Sequence, residues 1–337
     1  MINGHGDDLY EFGGVRINFS SNIYSHFDHQ ALFGFLSSRM PTIANYPEPV
    51  PYSLEKKLAE RHGVSKDNVL AANGATEVIY LIADAWQGAT SYILQPTFAE
   101  YADACRMHGH DVGTIRNLGE IRNERSLAWI CNPNNPTGTL ISKSRLLKLA
   151  AACPDVLFVI DQSYWAYTEK AVVEAAEAVA LPNVILLYSM TKDYAVPGLR
   201  LGYMTANAGI VAAVGKRRMP WSVNQLAIEA GKYLLGHSSE YRIDAAGLCE
   251  ERLRVADELK KLGIATCPSD SNILLCQLPF GDAGSLKKRL AERYGILIRD
   301  ASNFPTLGPR HFRIAVQSAY DDNELLKAIN EILSDDE

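Results

Sequence analysis

A lysine and an arginine stand eight residues apart in the segment SMTKDYAVPGLRLGY, at Lys192 and Arg200. The segment follows NVILLY, an apolar run typical of a buried strand, so Ser189 and Lys192 are expected where that strand ends. In α/β proteins, ligands bind at the carboxyl ends of the strands. A buried lysine with a lowered pKa reacts with carbonyl groups, whereas a solvated surface lysine is the competing interpretation.

Two further segments place polar groups after predicted strands. In AANGATEVIY, a turn at Asn73-Gly74 leads into a helix that starts at Ala75 and Thr76. The unpaired amides of such a helix start bind phosphate, although an ordinary strand–turn–helix connection would have the same sequence. In ICNPNNPTGTL, proline enforces a turn, and asparagines such as Asn135 would either satisfy that turn or bind a ligand's polar ring substituent.

The segment VLFVIDQSY runs from an apolar strand directly into Asp161, with Tyr164 three residues later. A buried carboxylate needs a partner, because burying the charge alone is unfavourable. Asp161 would therefore cap a helix, form an ion pair, or face a protonated heteroaromatic nitrogen. The chain has no GxGxxG after its first strand and no GxxxxGK[ST] loop, which argues against a dinucleotide or nucleoside-triphosphate site.

The elements that must position these groups follow an α/β pattern. From about residue 67 to 206, short β-branched runs alternate with helical patterns, which predicts a mostly parallel central sheet sandwiched by helices. From about residue 225 the pattern becomes that of a smaller α+β unit. The chain of 337 residues is long enough for two domains. We predict a large domain over 46–224, a small C-terminal domain over 225–337 and an irregular N-terminal segment over 1–45 that packs on the lobes.

Composition and charge exclude several classes of function. The formal net charge of −6 offers no basic excess for neutralising phosphates, which argues against nucleic acid as a partner. The N-terminal MINGHGDDLY does not read as a signal peptide, and no apolar run approaches the ~20 residues that span a bilayer. A cytoplasmic protein with no membrane partner is predicted.

Neither the cysteines nor the histidines form a recognisable site. The six cysteines are scattered without a CxxC pair, which predicts reduced thiols. The histidine pairs at His26 and His29 and at His108 and His110 lack acidic or cysteine partners at ligand spacing, so no metal site is expected.

Together the four segments would supply a phosphate cradle, a ring acceptor, a carboxylate and an amine, which are the groups that pyridoxal 5'-phosphate needs. The motifs NPNNPTG, D-x-x-Y and S-x-x-K followed by PGLRLGY resemble, in order and spacing, those of fold-type I pyridoxal-phosphate enzymes. The resemblance is to the aminotransferase class that includes histidinol-phosphate aminotransferase, and it covers nearly the whole chain. It implies the aminotransferase fold type I and a homodimer. The family commonly has DEAY where this chain has Asp161-Gln-Ser-Tyr164, and we interpret Gln162 and Ser163 as tolerated changes.

The resemblance implies a role for each matching residue. Lys192 would form the Schiff base, Asp161 would pair with the pyridinium nitrogen, and Tyr164 would hydrogen-bond the ring's phenolic oxygen; these three are the expected catalytic residues. The other expected cofactor contacts are Asn135 at the same oxygen, Gly74, Ala75, Thr76, Ser189 and Arg200 around the phosphate, Phe98 stacked on the ring, and Tyr46 reaching the neighbouring subunit's cofactor.

A narrower resemblance is to the L-threonine-O-3-phosphate decarboxylases of cobalamin biosynthesis. It is carried by His5-Gly6 ahead of NFSSNI, by RRMPWSVNQLA over 217–227 and by ILIRDASNFPTLGPRHFRIAVQS over 296–318. It implies decarboxylation of L-threonine O-3-phosphate to (R)-1-amino-2-propanol O-2-phosphate. The implied contacts to this small phosphorylated amino-acid substrate are His5, Ser21, Asn22, Asn224, Arg299 and Arg313.

Alternatives remain open at this point. Histidinol-phosphate or a related aminotransferase is the competing activity, because the bond that breaks depends on which one stands perpendicular to the cofactor ring. A catalytically idle regulatory subunit would not need the intact Lys192 and Asp161. Arg299 would otherwise cap a sheet edge, and His5 would otherwise belong to an uninvolved N-terminus.

Overall fold

Thirteen strands run through residues 6–335, the part of the chain that the computed structural model describes. They form a seven-stranded sheet, a four-stranded sheet and a two-stranded pair. The strands are β1 (Ile17–Asn18), β2 (Val69–Ala72), β3 (Thr90–Leu94), β4 (Asp111–Ile115), β5 (Ser126–Cys131), β6 (Val156–Asp161), β7 (Val184–Ser189), β8 (Gly202–Ala206), β9 (Ala265–Thr266), β10 (Ile273–Gln277), β11 (Ile296–Leu297), β12 (Arg299–Asp300) and β13 (His311–Ala315).

Twelve α-helices accompany these strands within residues 6–335, together with six short 3-10 turns. The helices are α1 (Gln30–Arg39), α2 (Tyr52–His62), α3 (Ala75–Ala85), α4 (Glu100–Met107), α5 (Lys143–Ala152), α6 (Ala175–Val179), α7 (Met190–Tyr194), α8 (Ala208–Gly215), α9 (Gln225–Gly236), α10 (Ala245–Lys261), α11 (Ala283–Tyr294) and α12 (Ala319–Ser334).

The large sheet has the strand order β2-β8-β7-β6-β5-β3-β4 and is mostly parallel, as predicted. Strands β7, β6, β5, β3 and β4 pair in parallel, whereas β8 is antiparallel to both of its neighbours. Along β5, Leu127 and Trp129 contribute to one apolar core and Ala128 and Ile130 to the other. Both faces of the sheet are therefore covered by helices, which explains why its central strands are apolar throughout.

The C-terminal part of the chain forms the smaller antiparallel sheet, in the order β12-β13-β10-β9. The N-terminal segment joins this part, because β1 pairs in parallel with β11 through Ile17 opposite Ile296. Arg16 extends the connection with an ion pair of 2.8 Å to Glu324 on α12. This confirms the expected smaller α+β region, although the exact domain limits stay a prediction.

Three elements differ from the sequence-based expectation. The expectation of an irregular segment over 1–45 is wrong for residues 30–39, which form α1. Strand β4 was not expected, because it lies at the edge of the sheet and carries Asp111, Gly113 and Thr114 instead of an apolar run. Helix α9, assigned by sequence to the small domain, packs on α1 and α2 beside the large sheet.

The structure also bears on the cysteines and on membranes. All six cysteines are free, and four of them are buried. Within residues 6–335, none of the helices combines the length and apolar character needed to cross a bilayer. Cellular location stays a prediction.

Candidate active site

A cavity of about 270 Å³ opens at the carboxyl ends of β5, β6 and β7. Most of the site residues expected from the sequence line it, although they come from distant parts of the chain. They are Ser21, Asn22, Ala75, Thr76, Phe98, Asn135, Asp161, Tyr164, Ser189, Lys192, Arg200 and Arg313.

The remaining expected residues lie elsewhere. Gly74 adjoins the cavity, since a Cβ added there would stand 2.8 Å from Nη2 of Arg200. Arg299 lines a neighbouring cavity of about 50 Å³ that it shares with Arg313. His5 lies outside the described residues.

Tyr46 and Asn224 are not brought to either cavity. Tyr46 is 86% exposed and its ring lies 5.4 Å from that of Trp221. The Asn224 side chain caps α9 by accepting a hydrogen bond of 2.9 Å from the amide of Ala227. Their roles toward a partner's cofactor and toward the substrate therefore stay predictions that this single chain does not support.

Lys192 lies on α7, which begins directly after β7, so the strand end points its side chain into the cavity. Its Nζ donates a hydrogen bond of 2.5 Å to the carbonyl of Ser21. Burial lowers the pKa of Lys192 to about 7, and the positive charges of Arg313 and Arg200 add to this effect while Asp7 and Asp161 oppose it. Near neutral pH, a substantial fraction of Lys192 is thus the neutral amine, which is the form that attacks a carbonyl group.

Asp161 ends β6 and is buried in the floor of the cavity. Its Oδ1 accepts hydrogen bonds from the Ser163 hydroxyl at 2.6 Å and the Ser163 amide at 2.9 Å. Its Oδ2 accepts one from the Tyr101 hydroxyl at 2.6 Å. Burial raises the pKa of Asp161, and these hydrogen bonds and the charge of Lys192 act against that rise.

The turn between β2 and α3 forms an anion cradle beside Lys192. Helix α3 begins at Ala75, so its first amides have no partners within the helix. Ala75 and Thr76 line the cavity together with Ser189. Arg200 adds a guanidinium group at the same place. This donor set fits a phosphate ester.

Gly202 on β8 permits this cradle to form. A Cβ at position 202 would lie 2.7 Å from the carbonyl carbon of Gly74 and 2.8 Å from the Cα of Ala75. We expect Gly202→Ala to lower the free energy of unfolding by about 3 kcal/mol, because backbone must move to admit the methyl group. Urea denaturation of the cofactor-free protein measures the change.

Gly34→Ala is the matched control for this prediction. Gly34 is exposed on α1 and a Cβ there meets no atom within 4 Å. This substitution should raise the free energy of unfolding by roughly 0.5–1 kcal/mol, since alanine favours a helix interior over glycine. Equal stability of the two variants would show that the cradle tolerates a side chain at position 202.

Comparison with known proteins assigns the family. A sequence model of aminotransferase class I and II matches residues 15–332. The chain belongs to the aminotransferase class I and II family. Threonine-phosphate decarboxylase of Salmonella typhimurium is 30% identical over 353 residues, covering 98% of this chain and 96% of that protein. Histidinol-phosphate aminotransferase 1 of Thiobacillus denitrificans is 31% identical over 313 residues, covering 87% and 79%.

Solved structures agree with this family. The crystal structure of L-threonine-O-3-phosphate decarboxylase from Porphyromonas gingivalis is 36% identical, with a TM-score of 0.91 over 94% of this chain and 99% of that one. The histidinol-phosphate aminotransferase of Sinorhizobium meliloti, solved with pyridoxal-5'-phosphate, is 19% identical with a TM-score of 0.82, over 95% and 92%. The second likeness shows the fold alone. These matches confirm the predicted fold-type I architecture.

The protein is an enzyme of this family, and its cofactor is pyridoxal 5'-phosphate. The side chains present fit that group, because an amine, a buried carboxylate and an anion cradle surround one cavity. When bound, the cofactor accepts the electrons released at the substrate's α-carbon. Lys192 would hold its aldehyde carbon, Asp161 its ring nitrogen, and the start of α3 with Arg200 its phosphate.

Sequence reasoning missed three residues that shape the site. Tyr101 lies in the first turn of α4, and its ring contacts that of Phe98, which precedes the helix, with centroids 5.8 Å apart. Ser163 appeared to be a tolerated change but contacts Asp161 directly. Asp7 lines the cavity, and its charge raises the pKa of Lys192; no sequence signal pointed to it.

Proposed function

We propose that the protein is a carboxy-lyase that converts L-threonine O-3-phosphate to (R)-1-amino-2-propanol O-2-phosphate and carbon dioxide. The proposed context is cobalamin biosynthesis. The relatives of that activity match at 30% and 36% identity over nearly the whole chain, which supports the proposal. The observation that carries it in this molecule is a pair of buried arginines next to the Lys192 cavity.

Arg299 and Arg313 stand directly opposite each other on the antiparallel strands β12 and β13. Residues in such register have Cβ atoms about 4.5–5.5 Å apart, on one face of the sheet. They are only 7% and 3% exposed. Burial lowers the pKa of Arg313 to about 9; Tyr164 opposes this effect, and Arg299 adds to it. Two buried positive charges in this register repel each other, so an anion bound between them would be stabilising.

Arg313 is available for such an anion. It donates hydrogen bonds to Oδ1 of Asn135 at 2.6 Å and to the carbonyl of Ser20, both of which are neutral acceptors. Its Nε has no hydrogen-bond partner among the described residues. A phosphate dianion matches two guanidinium groups in charge and accepts their forked hydrogen bonds.

A phosphate is a better occupant than the carboxylate of a substrate that loses carbon dioxide. The departing carboxylate loses its charge as the bond breaks, so an arginine bound to it would stabilise the ground state more than the transition state. The phosphate keeps its charge throughout. We therefore assign both Arg299 and Arg313 to the phosphate, where they would hold the carboxylate bond perpendicular to the cofactor ring.

The reaction also requires a proton at the α-carbon in place of the lost carbon dioxide. We assign this transfer to Nζ of Lys192, which lines the same cavity. A pKa of about 7 in the ligand-free chain suits a group that gains and gives up a proton near neutral pH.

A purified sample incubated with L-threonine O-3-phosphate should release carbon dioxide and the aminopropanol ester in a one-to-one ratio. Trapped labelled carbon dioxide and mass spectrometry of the product measure the two. L-Threonine without the phosphate is the control, and it should react far more slowly because it cannot use the arginine pair. Absence of carbon dioxide from the phosphorylated substrate would refute the proposed activity.

Histidinol-phosphate aminotransferase is the second candidate, since several relatives of that activity match at 30–31% identity over 86–87% of the chain. An aminotransferase would convert its bound cofactor to the pyridoxamine form when mixed with glutamate, and the visible absorbance would change accordingly. A decarboxylase should leave that absorbance unchanged.

We also propose a homodimer. The exposed Tyr46, which contacts Trp221 on the surface and not its own cavity, supports this proposal, because a second subunit would give both rings a site to cover.

A further inference from the structure

Both carboxylate oxygens of Asp161 are held by side chains outside the expected set of site residues. Ser163 donates to Oδ1 through its hydroxyl at 2.6 Å, and Tyr101 donates to Oδ2 at 2.6 Å. Both donors are buried, Ser163 at 7% and Tyr101 at 1% exposure. The carboxylate therefore has fixed donors before any ligand binds.

We propose that Ser163 and Tyr101 are positioning residues that keep Asp161 ionised, so that the proton between Asp161 and the cofactor stays on the ring nitrogen. The inference rests on the cofactor and not on the proposed substrate. It holds equally for a decarboxylase and for an aminotransferase.

A carboxylate and a ring nitrogen that face each other share one proton, which has two possible locations. The proton lies either on the nitrogen, which leaves two opposite charges, or on the carboxyl oxygen, which leaves two neutral groups. Burial favours the neutral pair, because it disfavours charge, and burial is the main influence on the pKa of Asp161. Hydrogen bonds donated to the charged carboxylate favour the ion pair.

Tyr101 is itself held in place by packing. Its ring stacks on Trp129, with centroids 5.7 Å apart and planes 23° from parallel. The Trp129 indole donates a hydrogen bond of 3.2 Å to Ser91. The Phe98 ring makes a T-shaped contact with the Tyr101 ring, with centroids 5.8 Å apart. The hydroxyl of Tyr101 thus has little freedom to leave Asp161, as expected of a group that orients a catalytic carboxylate.

Ser163 provides the sharper test, because alanine stands at this position in the family motif that the chain otherwise resembles. Alanine would keep the backbone hydrogen bond of 2.9 Å from residue 163 and lose only the hydroxyl bond. Ser163→Ala therefore removes one donor from Asp161 with a minimal change in packing.

The test uses holoenzyme loaded with cofactor that carries ¹⁵N at the ring nitrogen. In Ser163→Ala and in Tyr101→Phe, we expect the ¹⁵N chemical shift of the ring nitrogen to move toward the value of the unprotonated nitrogen. The protonation equilibrium should change by about tenfold or more for each lost bond to a charged group. The turnover number should fall by a similar factor with little change in KM. Ser163→Thr, which retains a hydroxyl, should restore the resonance.

Two matched controls remove buried hydroxyls elsewhere. Ser126→Ala acts at the start of β5, at the opposite end of the sheet, where the hydroxyl bonds the Glu124 carbonyl at 3.0 Å. Tyr203→Phe removes a buried hydroxyl that contacts His62 at 2.8 Å. Neither control should move the nitrogen resonance.

An unchanged resonance in folded Ser163→Ala holoenzyme would overturn the role of Ser163, and an unchanged resonance in Tyr101→Phe would overturn that of Tyr101. Should Tyr101→Phe fail to fold, Ser163→Ala decides the proposal alone. Because the readout needs no substrate, its failure is distinguishable from failure of the proposed decarboxylation.

Discussion

Lys192→Ala is expected to abolish turnover, with a loss of at least about 10⁴-fold, and to remove the visible absorbance of lysine-bound cofactor. Loss of a positioned acid or base alone accounts for about 10²–10⁴-fold. Here the covalent attachment point disappears as well, because the cavity is lined by Lys192 and by no other lysine among the described residues. Absorbance spectra and initial rates measure both effects.

Lys288→Ala is the control for this substitution. Lys288 lies on α11 with its side chain 67% exposed, and it does not line the cavity. The Lys288→Ala variant should keep the activity and the visible absorbance of the wild type. Borohydride reduction of wild-type holoenzyme followed by peptide mass analysis should locate the label at position 192. A label on any other side chain would contradict the site assigned above.

The second large effect is expected at the arginine pair. Arg299→Ala and Arg313→Ala should each lower kcat/KM for L-threonine O-3-phosphate by about 10²- to 10³-fold, the usual consequence of truncating a buried charged contact. Neither should lower the residual rate on L-threonine, which has no phosphate for them to bind. Steady-state kinetics on the two substrates separate these effects.

An equal loss on both substrates would have a different meaning. It would show that the truncated arginine does not act through the phosphate, and it would refute the assignment of that arginine to the phosphate. Arg310→Ala is the matched control, since Arg310 is exposed in the segment before β13 and bonds the carbonyl of Pro279 at 2.8 Å. Its kinetics should match those of the wild type.

The central part of the site could be predicted from the sequence because its signals are local. Lys192 and Asp161 each follow a continuous apolar strand, and parallel strands bring such ends to one edge. The helix start at Ala75 and Thr76 follows from a short turn motif. For these residues, the place directly after a strand or a turn in the sequence also determines the place in the folded chain.

Other features depend on long-range contacts that one sequence does not encode locally. Arg299 faces Arg313 only because of the register between β12 and β13. Asn224 shows a different difficulty, because asparagine serves equally as a helix cap and as a ligand contact, and here it caps α9. The polar edge strand β4 has no apolar periodicity to detect.

The pairing of β1 with β11 has a practical consequence for truncated forms of the protein. The peptide that follows β1 provides the carbonyl acceptors for Arg313 at Ser20 and for Lys192 at Ser21. An expression clone that begins after residue 22 would therefore remove one acceptor from each of these two cations, together with strand β1 and its pairing with β11.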